Sequence, residues 1–491
     1  MRYLALFFTL LISGCVVGPE YSRPKQELPK TLALKPSEAF VKQKLIVEKR
    51  VPKQWWEAFH SERLSDLIIE SFKHNADVAA AKAALLGARE QVYAHRGIYF
   101  PHVGFSFEPS KQQVARILTS VLASNQYDYA LFTGQFFVGY NPDVFGGNKR
   151  QEESLIAQAH YQQLKLEATY LTLASNVVSA AIQEASLREQ IKETKKLITT
   201  QRDLLQITRK KNYLGDASQY DIHLEEEALA ATTASLPPLR KQLALQRNLL
   251  NALAGRLPNH QDTPTFKFKD IKLPETLPLS LPSTLLEQRP DIRAAEEQMH
   301  SANALIGVAK SNRLPNINLT TTGIGASTAN LASFIGPNTN FWGLAGILTQ
   351  PIFDAGTLLH QQKVAEAAYQ QAAETYRSTV IQAFQNVTDT LNAIDQDSKA
   401  YTTAKAARNA AKLNVSIARH QWGLGDMNTY ILLQNEQRYL QASLLLIQSE
   451  TNRLLDSVAL FQSLGGGWWE DKAKACNTQG SCTKRCPDPL A

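Results

Sequence analysis

The sequence is short of several things, and each shortage removes a class of function. There are only four cysteines, Cys15 near one end and Cys476, Cys482 and Cys486 near the other. The three distal thiols have no fourth cysteine or suitably spaced histidine to complete a tetrahedral zinc set, and the ten histidines are scattered without ligand spacing. No metal or other cofactor is therefore expected. Beyond Ile12 there is no apolar run long enough to cross a bilayer as a helix, so any spanning part has to be a closed β-barrel. The net charge of +7 is spread along the chain, whereas nucleic-acid binding calls for a focused basic patch. Gly146-Gly147-Asn148-Lys149 lacks the glycine-rich frame and the following hydroxyl of a phosphate loop. No nucleophile, base and orienting group converge in the sequence, and an enzyme is not expected.

What is present begins with a processing signal. Met1-Arg2 is a short basic start, Tyr3–Ile12 is apolar, and Leu11-Ile12-Ser13-Gly14-Cys15 resembles a bacterial lipobox. Residues 1–14 then form a lipoprotein signal peptide, and Cys15 becomes the acylated first residue of the mature chain. Val16 follows Cys15 where inner-membrane retention favours aspartate, which points to the outer membrane. In an oxidising compartment Cys476, Cys482 and Cys486 can supply one disulfide and one remaining thiol, the pairing being open.

Between the ends the chain is written twice. Asp77-Val78-Ala79-Ala80-Ala81 resembles Asp291-Ile292-Arg293-Ala294-Ala295 at an offset of 214, which Pro101 and Pro315 keep. Asn141-Pro142-Asp143-Val144-Phe145 resembles Thr349-Gln350-Pro351-Ile352-Phe353 at an offset of 208. Leu214-Gly215-Asp216 and Tyr220 return as Leu424-Gly425-Asp426 and Tyr430 at an offset of 210. Collinear matches with small drifts indicate a duplication with loop insertions. The boundaries that follow are an N-terminal segment 15–61, a first repeat 62–257, a linker 258–282, a second repeat 283–464 and a tail segment 465–491.

Each repeat reads as helix, strand pair, long helix, turn and return helix. The first helix is expected over Glu62–Arg96, and its counterpart from near Leu285 to just before Pro315. Apolar and small residues step by four and three along three stretches: Ala157, Tyr161, Leu164, Ala168, Leu171, Ser175, Val178, Ile182 and Ala185; Val380, Phe384, Val387, Leu391 and Ile394; and Leu440, Leu444, Ile447, Thr451, Leu454, Val458 and Phe461. That is a seam at coiled-coil spacing. No proline interrupts Ser154–Tyr213 or Gly356–Trp422, and a helix of such length, about 90 Å, suits a spacer or a tube wall better than a globule. Pro237-Pro238 is expected to break the first return helix and to make the repeats differ in their middle sections. Val103, Phe105 and Phe107 alternate as a strand, as do Tyr129, Leu131 and Thr133, then Ile317, Leu319 and Thr321, and Trp342, Leu344 and Leu348. Four strands cannot close a membrane barrel, which needs at least about eight, so several chains have to share one.

These residues resemble the outer-membrane efflux protein family in its lipoprotein branch, the multidrug and nodulation-type factors. The likeness runs from Cys15 to Trp468. It rests on Val17-Gly18-Pro19-Glu20-Tyr21, Trp55-Trp56, Leu279–Leu286, Arg289-Pro290-Asp291-Ile292, Ile306-Gly307-Val308-Ala309, Gln350–Gly356 and Leu464-Gly465-Gly466-Gly467-Trp468. Ser280 stands where relatives often carry glycine, and the cysteine-bearing tail is unusual for the family. The resemblance implies a mixed α/β membrane protein. Its homotrimer would make a 12-stranded barrel in the outer membrane, four strands per chain. That barrel would continue into a 12-helix periplasmic tube. It implies a passive exit duct for small molecules, working with a periplasmic adaptor and a commonly proton-driven inner-membrane transporter. A duct for a type I protein-secretion system shares this architecture, and a non-conducting lipoprotein spacer shares its helices.

A duct needs a gate, and the turns between long and return helices are the candidates. Leu214, Gly215 and Asp216, with Leu424, Gly425 and Asp426, can cap the return helices or set negative charge around a narrow entrance. Asp221 resembles a further acidic residue of the family, but its counterpart is Ile431. Arg209 and Arg419 precede the turns at matching positions, where they complement a helix C-terminus or contact the adaptor.

Overall fold

The structure is a computed structural model that describes residues 16–24, 43–47, 51–113, 128–258, 263–279 and 286–467. The signal segment, Cys15, and the tail with Cys476, Cys482 and Cys486 lie outside the described residues. In chain order the elements are β1 (Lys44–Val47), α1 (Glu62–His74), α2 (Ala76–Arg96), β2 (His102–Gln113), β3 (Asp128–Tyr140), α3 (Gly147–Tyr213) and α4 (Gln219–Leu253). They continue as β4 (Thr276–Leu279), α5 (Pro290–Ser311), β5 (Asn316–Thr328), β6 (Asn340–Thr349), α6 (Thr357–Gly423) and α7 (Thr429–Ser463). Among the described residues no helix is long and apolar enough to cross a membrane. The chain forms two compact units.

The first unit takes residues 1–24, 85–162 and 295–376. Its centre is one antiparallel sheet in the order β2-β3-β5-β6, a hairpin from each repeat. Opposed residues share a face, so the register lays out a cross-strand row Phe105–Phe136–Ile324–Trp342. All four side chains are exposed. The row on the other face carries Ser106, Gln135 and Gly325 and ends on Phe341, and beyond it Thr133 and Ser327 hydrogen-bond through their hydroxyls at 3.0 Å. The sheet is thus apolar along one face and mainly polar along the other. Between Thr321 and Gly323 an extra residue in β5 shifts the register against both neighbours. Such a bulge re-aims the strand: Ile324, not Gly323, joins the apolar row with Thr321 and Leu319. Gly323 has φ +126°, a value L side chains rarely take.

The second unit takes residues 25–84, 163–294 and 377–491. The seam residues Val178, Ile182, Ala185, Val387, Leu391, Ile394, Leu454, Val458 and Phe461 are buried in its core, beside Trp55, Trp56 and Phe59 of a short 3-10 turn. Trp55 stacks on Phe461 at 5.2 Å. The fully buried Glu184 carboxylate accepts from Arg188 at 2.7 Å, from Arg247 at 3.1 Å and from the Phe266 amide at 3.3 Å, as a buried charge must be paired. Gly465, Gly466 and Gly467 all have positive φ, and a Cβ on Gly467 would run into the Pro52 carbonyl.

Several sequence expectations need correction. The helix expected over Glu62–Arg96 is two: Asn75 turns extended (φ −68°, ψ 130°) and its Oδ1 caps α2 by accepting from the amides of Asp77 and Val78 at 2.9 and 3.2 Å. Pro237 and Pro238 do not break α4, which is continuous over 35 residues. They sit on an exposed stretch where water can satisfy the carbonyls left without donors. The repeats therefore match rather than differ: α3 and α6 have 67 residues each, and α4 and α7 have 35 each. At 1.5 Å per residue the long helices run about 100 Å. The linker contains β4, which pairs in parallel with β1, Lys44 opposite Thr276; neither four-residue segment alternates enough to be read as a strand.

Candidate functional site at the hairpin turns

Both turns are built by the same local chemistry. The Gly215 amide donates to the Asn212 carbonyl at 3.0 Å and the Asp216 amide to the Lys211 carbonyl at 2.8 Å. In the second repeat Gly425 donates to Trp422 at 3.1 Å and Asp426 to Gln421 at 2.9 Å. This pair of bonds is the Schellman motif, and it needs a left-handed residue at the glycine; φ is +85° at Gly215 and +83° at Gly425. Leu214, Gly215, Asp216, Leu424, Gly425 and Asp426 are all exposed.

The aspartates close the long helices rather than cap the return helices, which corrects the capping role expected of them. The caps lie two residues further on. The Ser218 hydroxyl accepts from the Asp221 amide at 3.2 Å, and the Asp221 carboxylate accepts from the Ser218 amide at 2.8 Å, a reciprocal capping box. The Ser218 amide first, and second the Ser218 hydroxyl, which donates to the same carboxylate at 2.8 Å, hold the Asp221 carboxyl below its ordinary value. In the second repeat Asn428 caps by accepting from the Ile431 amide at 3.0 Å. Asp221 thus has a local structural partner that Ile431 cannot replace. The spacing Ser218-x-x-Asp221 was the available signal.

Arg209 and Arg419 each reach across their own turn. Arg209 pairs with Glu226 and Arg419 with Glu436, both at 2.7 Å. The repeats then diverge. The Tyr430 hydroxyl donates to Glu225 at 3.1 Å, and the Lys211 ammonium sits 4.9 Å from the Tyr430 ring centroid. These contacts join the start of α7 to the α3–α4 hairpin. Tyr220, the counterpart of Tyr430, is 72% exposed. Sequence reasoning noted the tyrosine pair but not this difference, because Glu225 has Asn435 at its repeat position. Burial and then the Glu225 charge raise the Tyr430 phenol above its ordinary value, so it stays a donor at neutral pH.

Comparison with known proteins adds the wider context. The profile described as "Outer membrane efflux protein" matches residues 67–256 and 281–466, most of both repeats. The pyoverdine export outer membrane protein OpmQ of Pseudomonas putida is 26% identical over 448 residues, covering 90% of this chain and 94% of that protein. The probable outer membrane lipoprotein SilC of Salmonella typhimurium is 24% identical, covering 96% of this chain and 99% of that protein. The crystal structure of the Campylobacter jejuni CmeC outer membrane channel superposes with a TM-score of 0.81 at 22% identity, covering 94% of this chain and 98% of that one.

Proposed function

The chain belongs to the outer membrane efflux protein family, and we propose that it serves there as a lipid-anchored, gated exit duct. It is the outer-membrane channel subunit of a tripartite efflux system, a passive conduit rather than a catalyst, with its helical part in the periplasm. Its partners are two further copies of itself, a periplasmic adaptor and an inner-membrane transporter.

One observation carries the duct reading. A four-stranded sheet with an apolar and a mainly polar face leaves the outer edges of β2 and β6 without a ladder partner among the described residues. Edges at membrane depth have to be covered, and neighbouring copies of the same sheet cover them while turning the polar faces inward. Purified protein in planar bilayers should conduct as a trimer. A folded, conducting monomer would overturn the reading.

The finer assignments rest on the residues. Acylation at Cys15 is supported by the lipobox and by the lipoprotein name of the Salmonella relative; mass spectrometry of Cys15→Ser protein should show loss of the acyl chains and delayed processing. The gate is assigned to Leu214, Gly215, Asp216, Asp221, Leu424, Gly425 and Asp426, where three chains would bring six aspartate-bearing turns together. Arg209 and Arg419 lie beside those turns and would meet the adaptor. The transporter is expected to be proton-driven, and the cargo to be small molecules, as pyoverdine is for the Pseudomonas relative. Cys476, Cys482 and Cys486 are assigned one disulfide among them.

A further inference from the structure

The segment that follows Cys15 is gripped by the first unit at five successive points. The Val17 amide donates to the Phe145 carbonyl at 3.1 Å. Arg150, itself buried, donates to the carbonyls of Val17 and Gly18 at 3.2 and 3.4 Å. Asn303, also buried, donates to the Pro19 carbonyl at 3.1 Å. The Tyr21 ring stacks on His300 at 4.3 Å, and Arg23 pairs with Glu296 at 2.9 Å. Gly18 has φ +109°, and a Cβ there would strike the Gly307 backbone, so the strap passes against α5 with no room for a side chain.

His300 lies beneath this strap between two carboxylates. Its Nε2 is 2.9 Å from Glu153 and its Nδ1 3.8 Å from Glu297. Glu153 also accepts from Arg150 Nη1 at 2.7 Å, so one carboxylate ties the imidazole to the guanidinium that holds Val17 and Gly18. We propose that His300 is a proton-operated clasp for the strap 16–24, closed when the imidazole is charged and loosened when it is neutral. A charged ring donates from Nε2 to Glu153 and sets its charge 3.8 Å from Glu297, between two negative charges. A neutral ring brings no charge between the two carboxylates and leaves Arg150 as the remaining cation on Glu153, which draws the guanidinium away from the Val17 and Gly18 carbonyls.

The surrounding groups fix the direction. The strap offers Tyr21 and Arg23, α3 offers Arg150, Glu153 and His160, α5 offers Glu296 and Glu297, and α6 offers Tyr376. Glu297, then Glu153, hold the His300 imidazolium against the opposing effect of burial and raise its proton affinity above the ordinary histidine value. Burial works against ionisation of Glu297 too, but the neighbouring His160 and His300, at 3.7 and 3.8 Å, outweigh it and place its pKa at about 2. A group raised in the folded state stabilises below its unfolded pKa and loses that contribution as pH climbs through the folded one. The clasp therefore holds below the ordinary histidine value and loosens as pH climbs through the raised one, with Glu297 ionised throughout.

Hydrogen exchange of the full-length trimer in nanodiscs tests this, whether or not Cys15 carries lipid. After correction for intrinsic exchange, protection of a peptide spanning 16–24 should fall about tenfold between about pH 6 and about pH 9, while the sheet stays protected. His300→Gln should remove that pH dependence. Should His300→Gln trimers not assemble, Glu153→Gln gives the second test: with one carboxylate neutral, the midpoint of strap release should move to lower pH. Equal protection of the wild-type strap at both pH values, an unchanged slope in His300→Gln, or an unmoved midpoint in Glu153→Gln would each overturn the clasp.

Discussion

Asn75 and Arg289 perform one task in the two repeats: each donates a side-chain N–H to the carbonyl of the last residue of its repeat's return helix, Asn75 to Leu253 at 3.1 Å and Arg289 to Ser463 at 2.7 Å. The last carbonyls of a helix have no intrahelical partner, and here a side chain from the head of the same repeat supplies one. Arg289 reaches further, to the Ala383 carbonyl at 3.4 Å, and is steadied by Asp291 at 2.7 Å. The Arg-Pro-Asp signature of the second repeat is therefore a fastener between repeat ends.

Arg289→Met should destabilise the protein strongly. It strands buried carbonyls, each costing about 1–3 kcal/mol when unsatisfied. Arg289→Lys should recover part of the loss, because a single ammonium can reach one carbonyl but not both. Denaturant melts of the purified trimer report the order wild type, Lys, Met. Equal midpoints for all three would remove the fastening role.

The faces of the sheet give a second test. Phe136 belongs to the apolar row and Gln135 to the polar one. Phe136→Arg should cost up to about 2–4 kcal/mol, the range for a lipid-facing arginine near mid-bilayer, and depress trimer yield. Gln135→Arg should leave yield intact and lower cation conductance. The reverse pattern would mean that the two faces have been exchanged.

The sequence made the periodic parts legible and hid those decided by single hydrogen bonds. Seam residues such as Val178 and Val458 could be placed because their spacing repeats over many turns, and the four strands because they alternate. The break at Asn75 was hidden because asparagine within an alanine-rich helical pattern is also tolerated as an interior residue. The effect of Pro237-Pro238 was overread because the freed carbonyls are exposed, and exposure is not written in the prolines themselves. The bulge at Gly323 could not be seen, since an extra residue in one strand shows only against its partners. The turn glycines were identified correctly, but the adjacent aspartates drew the capping role away from Ser218 and Asn428.

Those caps make a third prediction. Asn428→Ala should cost about 1 kcal/mol, the usual value for a lost N-cap, and Ser218→Ala should also destabilise. Asp216→Ala with Asp426→Ala should barely move the melting curve, because the bonds of those residues come from their amides. If the aspartates line the entrance, the double variant should instead weaken cation selectivity in bilayer recordings. A lowered melting point with unchanged selectivity would return the aspartates to a structural role.

The contact between Tyr430 and Glu225 separates gate from scaffold most directly. It joins α7 to the first hairpin, whereas Arg209–Glu226 and Arg419–Glu436 each stay within one hairpin. An outward swing of one hairpin relative to the other has to break the first contact but not the others. Tyr430→Phe removes only the hydroxyl and keeps the ring beneath Lys211, so helix stability should hold. Losing a hydrogen bond worth about 1 kcal/mol shifts a closed-to-open ratio by about fivefold per chain, so mean single-channel conductance should rise. Tyr220→Phe is the internal control: the same chemistry at the matching position of the other repeat, on a side chain that is largely exposed, should leave conductance unchanged. Glu225→Gln should lie between, because an amide oxygen still accepts from the phenol without the charge. Equal conductance for Tyr430→Phe and Tyr220→Phe would show that the contact between the hairpins does not restrain the entrance.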